Sequence, residues 1–227
     1  AAALGREVPE ALWSAACAQL GAPPSATFTT RLCRLGIWED TPGGWRFTST
    51  TALDAATLVA ERAGLSAQAH RAVAEALRGS GGSLERIAHY AELAGDDPSA
   101  TLLLAARARR RRGDPRGAAA LLESRTKALS ARGLTPSADD QAEAHLERAR
   151  CLRALGEQAQ AKRSGEQALL TAEASADRRA WAMAELALTA AGLGEGAVAA
   201  RLAAQAMDTL RPLGASEALG DALRAAA

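Results

Sequence analysis

The sequence predicts a mainly α fold carrying one small β-hairpin near its start, and three observations predict it. First, 60 of the 227 residues are Ala and only seven are aromatic. Alanine has the best intrinsic helix propensity, whereas strands draw on β-branched and aromatic side chains. Second, Gly and Pro recur at intervals that cut the chain into segments of helical length. Third, only one place sets two short apolar runs around a Pro-Gly-Gly turn. Small side chains bury little area each, so many stacked helices are expected to supply the stability.

The elements follow in chain order. Pro9 to Leu20 has the pattern of a helix: Pro at the first turn, apolar Leu12, Trp13, Ala16 and Leu20 at helical spacing, then Gly21 and a Pro23-Pro24 stop. Thr27 to Leu35 gives a second short helix closed by Gly36. Ile37-Trp38, a turn at Thr41 to Gly44, and Trp45 to Phe47 predict the hairpin, expected to hold the chain's only strands. Helix returns over Leu53–Ala63 and Ser66–Leu77. Helices around a small hairpin are the layout of a winged-helix module, so residues 1–79 are expected to form a winged-helix-like domain. The Gly79 to Ser83 stretch has linker composition and marks the expected boundary.

Residues 80–227 are expected to form a helical repeat domain. Breaks are predicted at Gly95–Pro98, Gly113–Pro115, Gly133–Ala138, Gly156, Ala174–Asp177, Gly192–Gly196 and Pro212–Gly214. Three of the turns resemble one another: ARARRRRGDPRGAAALL, ARCLRALGEQAQAKRS and LALTAAGLGEGAVAARL. Each places an Ala five residues after its turn Gly (Ala118, Ala161, Ala199), and the last two add another seven further on (Ala168, Ala206). A small residue there lets paired helices approach closely. The pattern resembles tetratricopeptide repeats, an α-solenoid of helical hairpins. It departs from that pattern at Arg125, where a second Ala belongs, and at Arg148, where a packed apolar residue belongs.

Together, LGREVPEALWSAA, RLCRLGIWEDTPGGWRF, AHRAVAEAL and LERIAHYAELAGD followed by repeats resemble the region behind the ATPase core of STAND-class signalling proteins. The ATP-binding LuxR-type transcriptional regulators and related kinase-linked regulators are the members meant. The resemblance implies a non-catalytic regulatory, partner-binding and oligomerisation segment, with ATP held by an upstream module. A free-standing repeat scaffold without an ATPase is the alternative. In that family the segment after the wing ends in a basic-aromatic pair followed by His; here Thr48, Ser49, Thr50 and Thr51 follow Arg46-Phe47, so no nucleotide contact is implied. The chain does not start with Met and carries no apolar leader, and it is expected to be a piece of a longer protein.

Charge and chemistry narrow the function. Twenty-seven Lys and Arg against 26 Asp and Glu leave a net charge of +1, which excludes a globally basic nucleic-acid binder. Direct DNA binding is not expected of a helix, Thr27 to Leu35, whose only cations are Arg31 and Arg34. Cys17, Cys33 and Cys151 show no metal-type spacing, and no apolar run approaches the roughly 18 residues of a membrane span. A cytoplasmic location is expected. His70, His89 and His145 lie near no nucleophile in sequence, no phosphate-binding loop is present, and Glu and Asp alternate with Arg as on solvated helix faces. No catalytic, cofactor-binding or metal-ligating residue is therefore assigned.

The basic run Arg107, Arg109, Arg110, Arg111 and Arg112 has two readings. It can complement the negative end of a helix dipole, or it can bind anions. In tetratricopeptide repeats, positions six and three before the turn Gly face the concave groove. The resemblance therefore places Arg107, Arg110, Arg150 and Arg153 there as a partner-binding groove for an acidic or phosphorylated protein segment or a second copy of the chain. Leu188 and Ala191 break the pattern in the third unit. As solvent-facing groups, these arginines are expected to contribute little to stability.

Overall fold

The computed structural model describes residues 1–171, 175–213, 220 and 224–225 of the chain. The fold is mainly α, with one three-stranded antiparallel sheet among the described residues. It separates into two compact units, Ala1–Thr101 and Leu102–Ala227.

The first unit holds β1 (Glu7–Pro9), α1 (Glu10–Gln19), α2 (Ala26–Arg34), β2 (Trp38–Thr41), β3 (Gly44–Phe47), α3 (Thr50–Arg62), α4 (Ser66–Gly79) and α5 (Leu84–Leu93). The hairpin forms where the Pro-Gly-Gly turn predicts it, pairing Trp38 with Phe47 and Asp40 with Trp45. A strand absent from the sequence prediction, β1, joins its far edge, with Val8 opposite Trp45. Three residues are too few to show an alternating pattern, and Pro9 ends the strand rather than opening the helix. Burial drives the pairing. Val8 packs with Trp13, Trp38 and Phe47 in one cluster, and the Trp13 ring meets Trp38 and Trp45 edge-on at 5.4 and 5.2 Å. Serine starts two of these helices: Ser25 accepts from the Phe28 N–H and Ser49 from the Ala52 N–H.

The expected domain boundary, 1–79 against 80–227, is not where the compact units part. The Gly79 to Ser83 stretch is a tight turn inside the first unit, with the Gly82 N–H donating to Leu77 O at 2.7 Å. The reason is hydrophobic. Val73 and Leu77 of α4 share one buried cluster with Ile87 and Tyr90 of α5. Arg71 ties the next turn back to α4, its Nε donating to Asp96 Oδ2 at 2.8 Å.

The second unit contains α6 (Ser99–Arg111, from Leu102 on), α7 (Pro115–Arg132), α8 (Ala138–Ala154), α9 (Gln158–Thr171), α10 (Ala176–Gly192) and α11 (Gly196–Leu210). The predicted breaks at Gly113–Pro115, Gly133–Ala138, Gly156 and Gly192–Gly196 fall at the ends of these helices, Gly95–Pro98 precedes α6 and Pro212 follows α11, whereas Ala174 and Gly214 lie outside the described residues. The repeated turns share one geometry. At Gly156 the backbone turns left-handed (φ 82°), which Gly adopts without a Cβ penalty, and the Glu157 N–H donates to Leu152 O. Gly113 and Gly194 repeat both features, with Asp114 and Glu195 as the donors.

Packing follows the small residues. Ala118, Ala161, Ala168, Ala199 and Ala206 are all fully buried. On α9 the stripe Ala161, Gly165, Ala168 faces its neighbours, and a Cβ added at Gly165 would lie 2.8 Å from a Leu186 methyl of α10. Helix α8 packs on α7, α9 and α10, and α10 also packs on α9 and α11, the layering of a solenoid-like array. Between these contacts lie three small clusters: Leu103, Ala106, Leu122 and Cys151; Leu146, Ala168 and Ala182; and Ala180, Ala184, Ala206 and Leu210.

Candidate interaction face

The four predicted groove arginines come together, on α6 and α8, and they meet carboxylates the sequence reading set aside. Helix α8 carries Glu143, Glu147 and Arg150 at i, i+4 and i+7, which puts them on one face. Helix α10 presents Arg178, Trp181 and Glu185 at similar offsets.

The contacts form a ladder. Arg107 of α6 pairs with Glu143, and its Nε lies 4.0 Å from Glu147 Oε2. Arg110 donates through Nε to the other oxygen of Glu147. Arg150 sits between two carboxylates, 3.7 Å from Glu147 Oε2 and 3.7 Å from Glu185 Oε2. Arg153 closes the far end, its Nε donating to Glu185 Oε1 at 2.6 Å. Arg178 reaches back across to Glu143 at 3.2 Å. The Trp181 ring lies 5.6 Å from the Arg150 guanidinium carbon and 5.5 Å from that of Arg178, within cation–π range of both.

Depth orders the charges. The Glu147 and Glu185 side chains are only 1% exposed, whereas the four predicted arginines keep between 7% and 31% of theirs. Glu147 and Glu185 lie beneath, with Arg107, Arg110 and Arg153 above them. Among the described residues the ladder brings together five guanidiniums and three carboxylates. Burial lowers the Arg107 pKa, Glu147 partly opposes this, and the side chain stays protonated as arginines do.

These arginines are therefore not the loosely solvated groups expected of them. They pair with buried carboxylates, and Arg150 is itself buried, so the premise that these arginines are solvent-facing does not hold for it. Leu188 and Ala191 do break the arginine pattern in the third unit, but α10 supplies Arg178 and Glu185 to the same network. The spacing of Glu143, Glu147 and Arg150 was the available signal.

Burial, then Glu147, pushes the Cys151 thiol up to about 12, which removes it from nucleophilic chemistry near neutral pH. Burial lowers the His70 pKa, and its ring stacks at 6.2 Å on Tyr90, which also meets His89 at 5.4 Å. Among the described residues, no three His, Cys, Asp or Glu side chains converge as metal ligands, and no helix is long and apolar enough to cross a membrane. No protein-family model matches the chain, and the search of curated proteins returns no significant match.

Proposed function

We propose that this chain is a non-catalytic, partner-binding segment, and that the ladder face of its tetratricopeptide-like hairpins receives an acidic or phosphorylated stretch of another protein. One observation supports the reading: the guanidiniums of Arg107, Arg110 and Arg153 lie above the buried carboxylates of Glu147 and Glu185, which hold them in place. Arginines fixed in this way lose little rotamer freedom on binding, and their forked donors match carboxylate and phosphate oxygens. Close-packed Ala helices leave room for an extended backbone beside them. The layout of the first unit, helices around a small sheet, suits the winged-helix-like module of STAND-class regulators, whose ATP would be bound by a module outside this chain.

Fluorescence anisotropy with a labelled Glu-rich peptide, with and without phosphoserine, tests the binding. Affinity should fall steeply between low and physiological salt, because the attraction is screened over about 8–10 Å. Arg107→Gln should weaken binding, whereas Arg201→Gln, on an exposed part of α11, should not. Equal affinity for a Lys-rich peptide of the same length would overturn the reading. Calorimetric titration of the chain with ATP should be flat, and micromolar affinity would contradict the role given to it.

A further inference from the structure

A second basic region lies on α7, α8 and α9, apart from the ladder residues. Between α7 and α8 is a cavity of about 310 Å³ whose apolar wall includes Leu122, Leu129, Leu134, Pro136 and Ala144. Between α8 and α9 is another of about 280 Å³, lined by Leu152 and by the polar side chains of Gln160, Arg163, Ser164 and Gln167. His145 and Arg148 line both, so the two adjoin as one groove: one chamber has an apolar wall and also carries Arg125, and the other is lined mainly by polar side chains. No Asp or Glu lines either chamber.

Two observations bear on what this exposed groove could hold. Arg148 and Arg163 make no ion pair among the described residues, in a unit where Arg107, Arg110, Arg150, Arg153 and Arg178 all do. Arg148 is also the departure from the repeat pattern, a cation where an apolar residue belongs. The second observation is the field at His145, whose pKa burial lowers and whose neighbours Arg148 and Arg125 lower further.

The number of donors selects the ligand. A carboxylate has two oxygens, which one guanidinium saturates. Two guanidiniums, two amides and a hydroxyl around one chamber suit the three terminal oxygens of a phosphate monoester. We propose that the α8–α9 chamber binds the phosphate of a small organic phosphate monoester, held by Arg148 and Arg163, and that the α7–α8 chamber takes its apolar body. The site is separate from the ladder face and does not depend on the function proposed for it.

Calorimetric titration of the full chain with phenyl phosphate, inorganic phosphate and benzoate tests the assignment. Phenyl phosphate should bind about tenfold or more tightly than inorganic phosphate, because only it fills both chambers. It should also bind more tightly than benzoate, which has the same body and the wrong head. The double variant Arg148→Gln, Arg163→Gln should lose about tenfold or more, the loss expected for removing charge-assisted hydrogen bonds, with an unchanged circular dichroism melt. Arg201→Gln should bind like the unaltered chain. Saturation should raise the His145 pKa followed by NMR, because phosphate offsets the two guanidiniums. No detectable binding, equal affinity for all three probes, or undiminished binding in the double variant would overturn the proposal.

Discussion

Arg150 shows how much a residue's role depends on its depth. It lies between Glu147 and Glu185, 3.7 Å from an oxygen of each buried carboxylate. Removing one partner of a buried pair leaves an uncompensated charge, which typically costs 3–5 kcal/mol. Because Arg110 and Arg153 still hold the two glutamates, Arg150→Met should cost about 3 kcal/mol, at the lower end of that range. Urea denaturation checks this, and a loss below about 0.5 kcal/mol would mean the ladder is only a surface network. His145 gives a pH test. Its folded pKa is lowered, so the unfolded state takes up a proton first as the solution is acidified. Its contribution to stability is therefore present above the ordinary value of 6.5 and is lost as pH falls through the folded value. His145→Gln should flatten the decline in melting temperature between about pH 7 and pH 5.

At the scale of elements, the helical hairpins depend on side chains too small to be noticed singly. Ala161 and Ala199 follow their turn glycines by five residues, and both are sealed between helices. Replacing either with Leu should overpack its helix pair and cost about 1–3 kcal/mol, while Ala200→Leu, one residue away and exposed, should change stability little. Equal effects at Ala199 and Ala200 would show that the packing register is wrong. The turns fix the register. Gly156→Ala would put a Cβ on a left-handed residue and should cost roughly 1–2 kcal/mol, read as a lowered denaturation midpoint.

At the scale of the whole molecule, the division into units has a direct test. The linker-like composition of Gly79 to Ser83 suggests that residues 1–79 would stand alone. The buried cluster joining Val73 and Leu77 to Ile87 and Tyr90 says otherwise. A fragment ending at residue 79 exposes that cluster and should lack cooperative thermal unfolding, whereas one ending at Thr101 should unfold in a single transition. A cooperative melt for the shorter fragment would restore the earlier boundary.

The sequence by itself determined the helices, the hairpin, the turn glycines and the buried alanines, because each is written within a few consecutive residues. Helix propensity, a left-handed Gly and an i, i+4 stripe act over one or two turns of chain and need no distant partner. Tertiary structure alone decided the rest. Glu147 meets Arg110 across 37 positions and Glu185 meets Arg153 across 32. The alternation of Glu and Arg along α8 fits a solvated helix as well as a buried ladder. Only the stacking of α6, α8 and α10 removes water from the carboxylates and makes their pairing with arginine obligatory. The same holds for β1, which is too short to announce itself and forms because β3 offers Val8 a partner and a core. Long-range pairing depends on which surfaces meet, and that is settled by packing the whole chain.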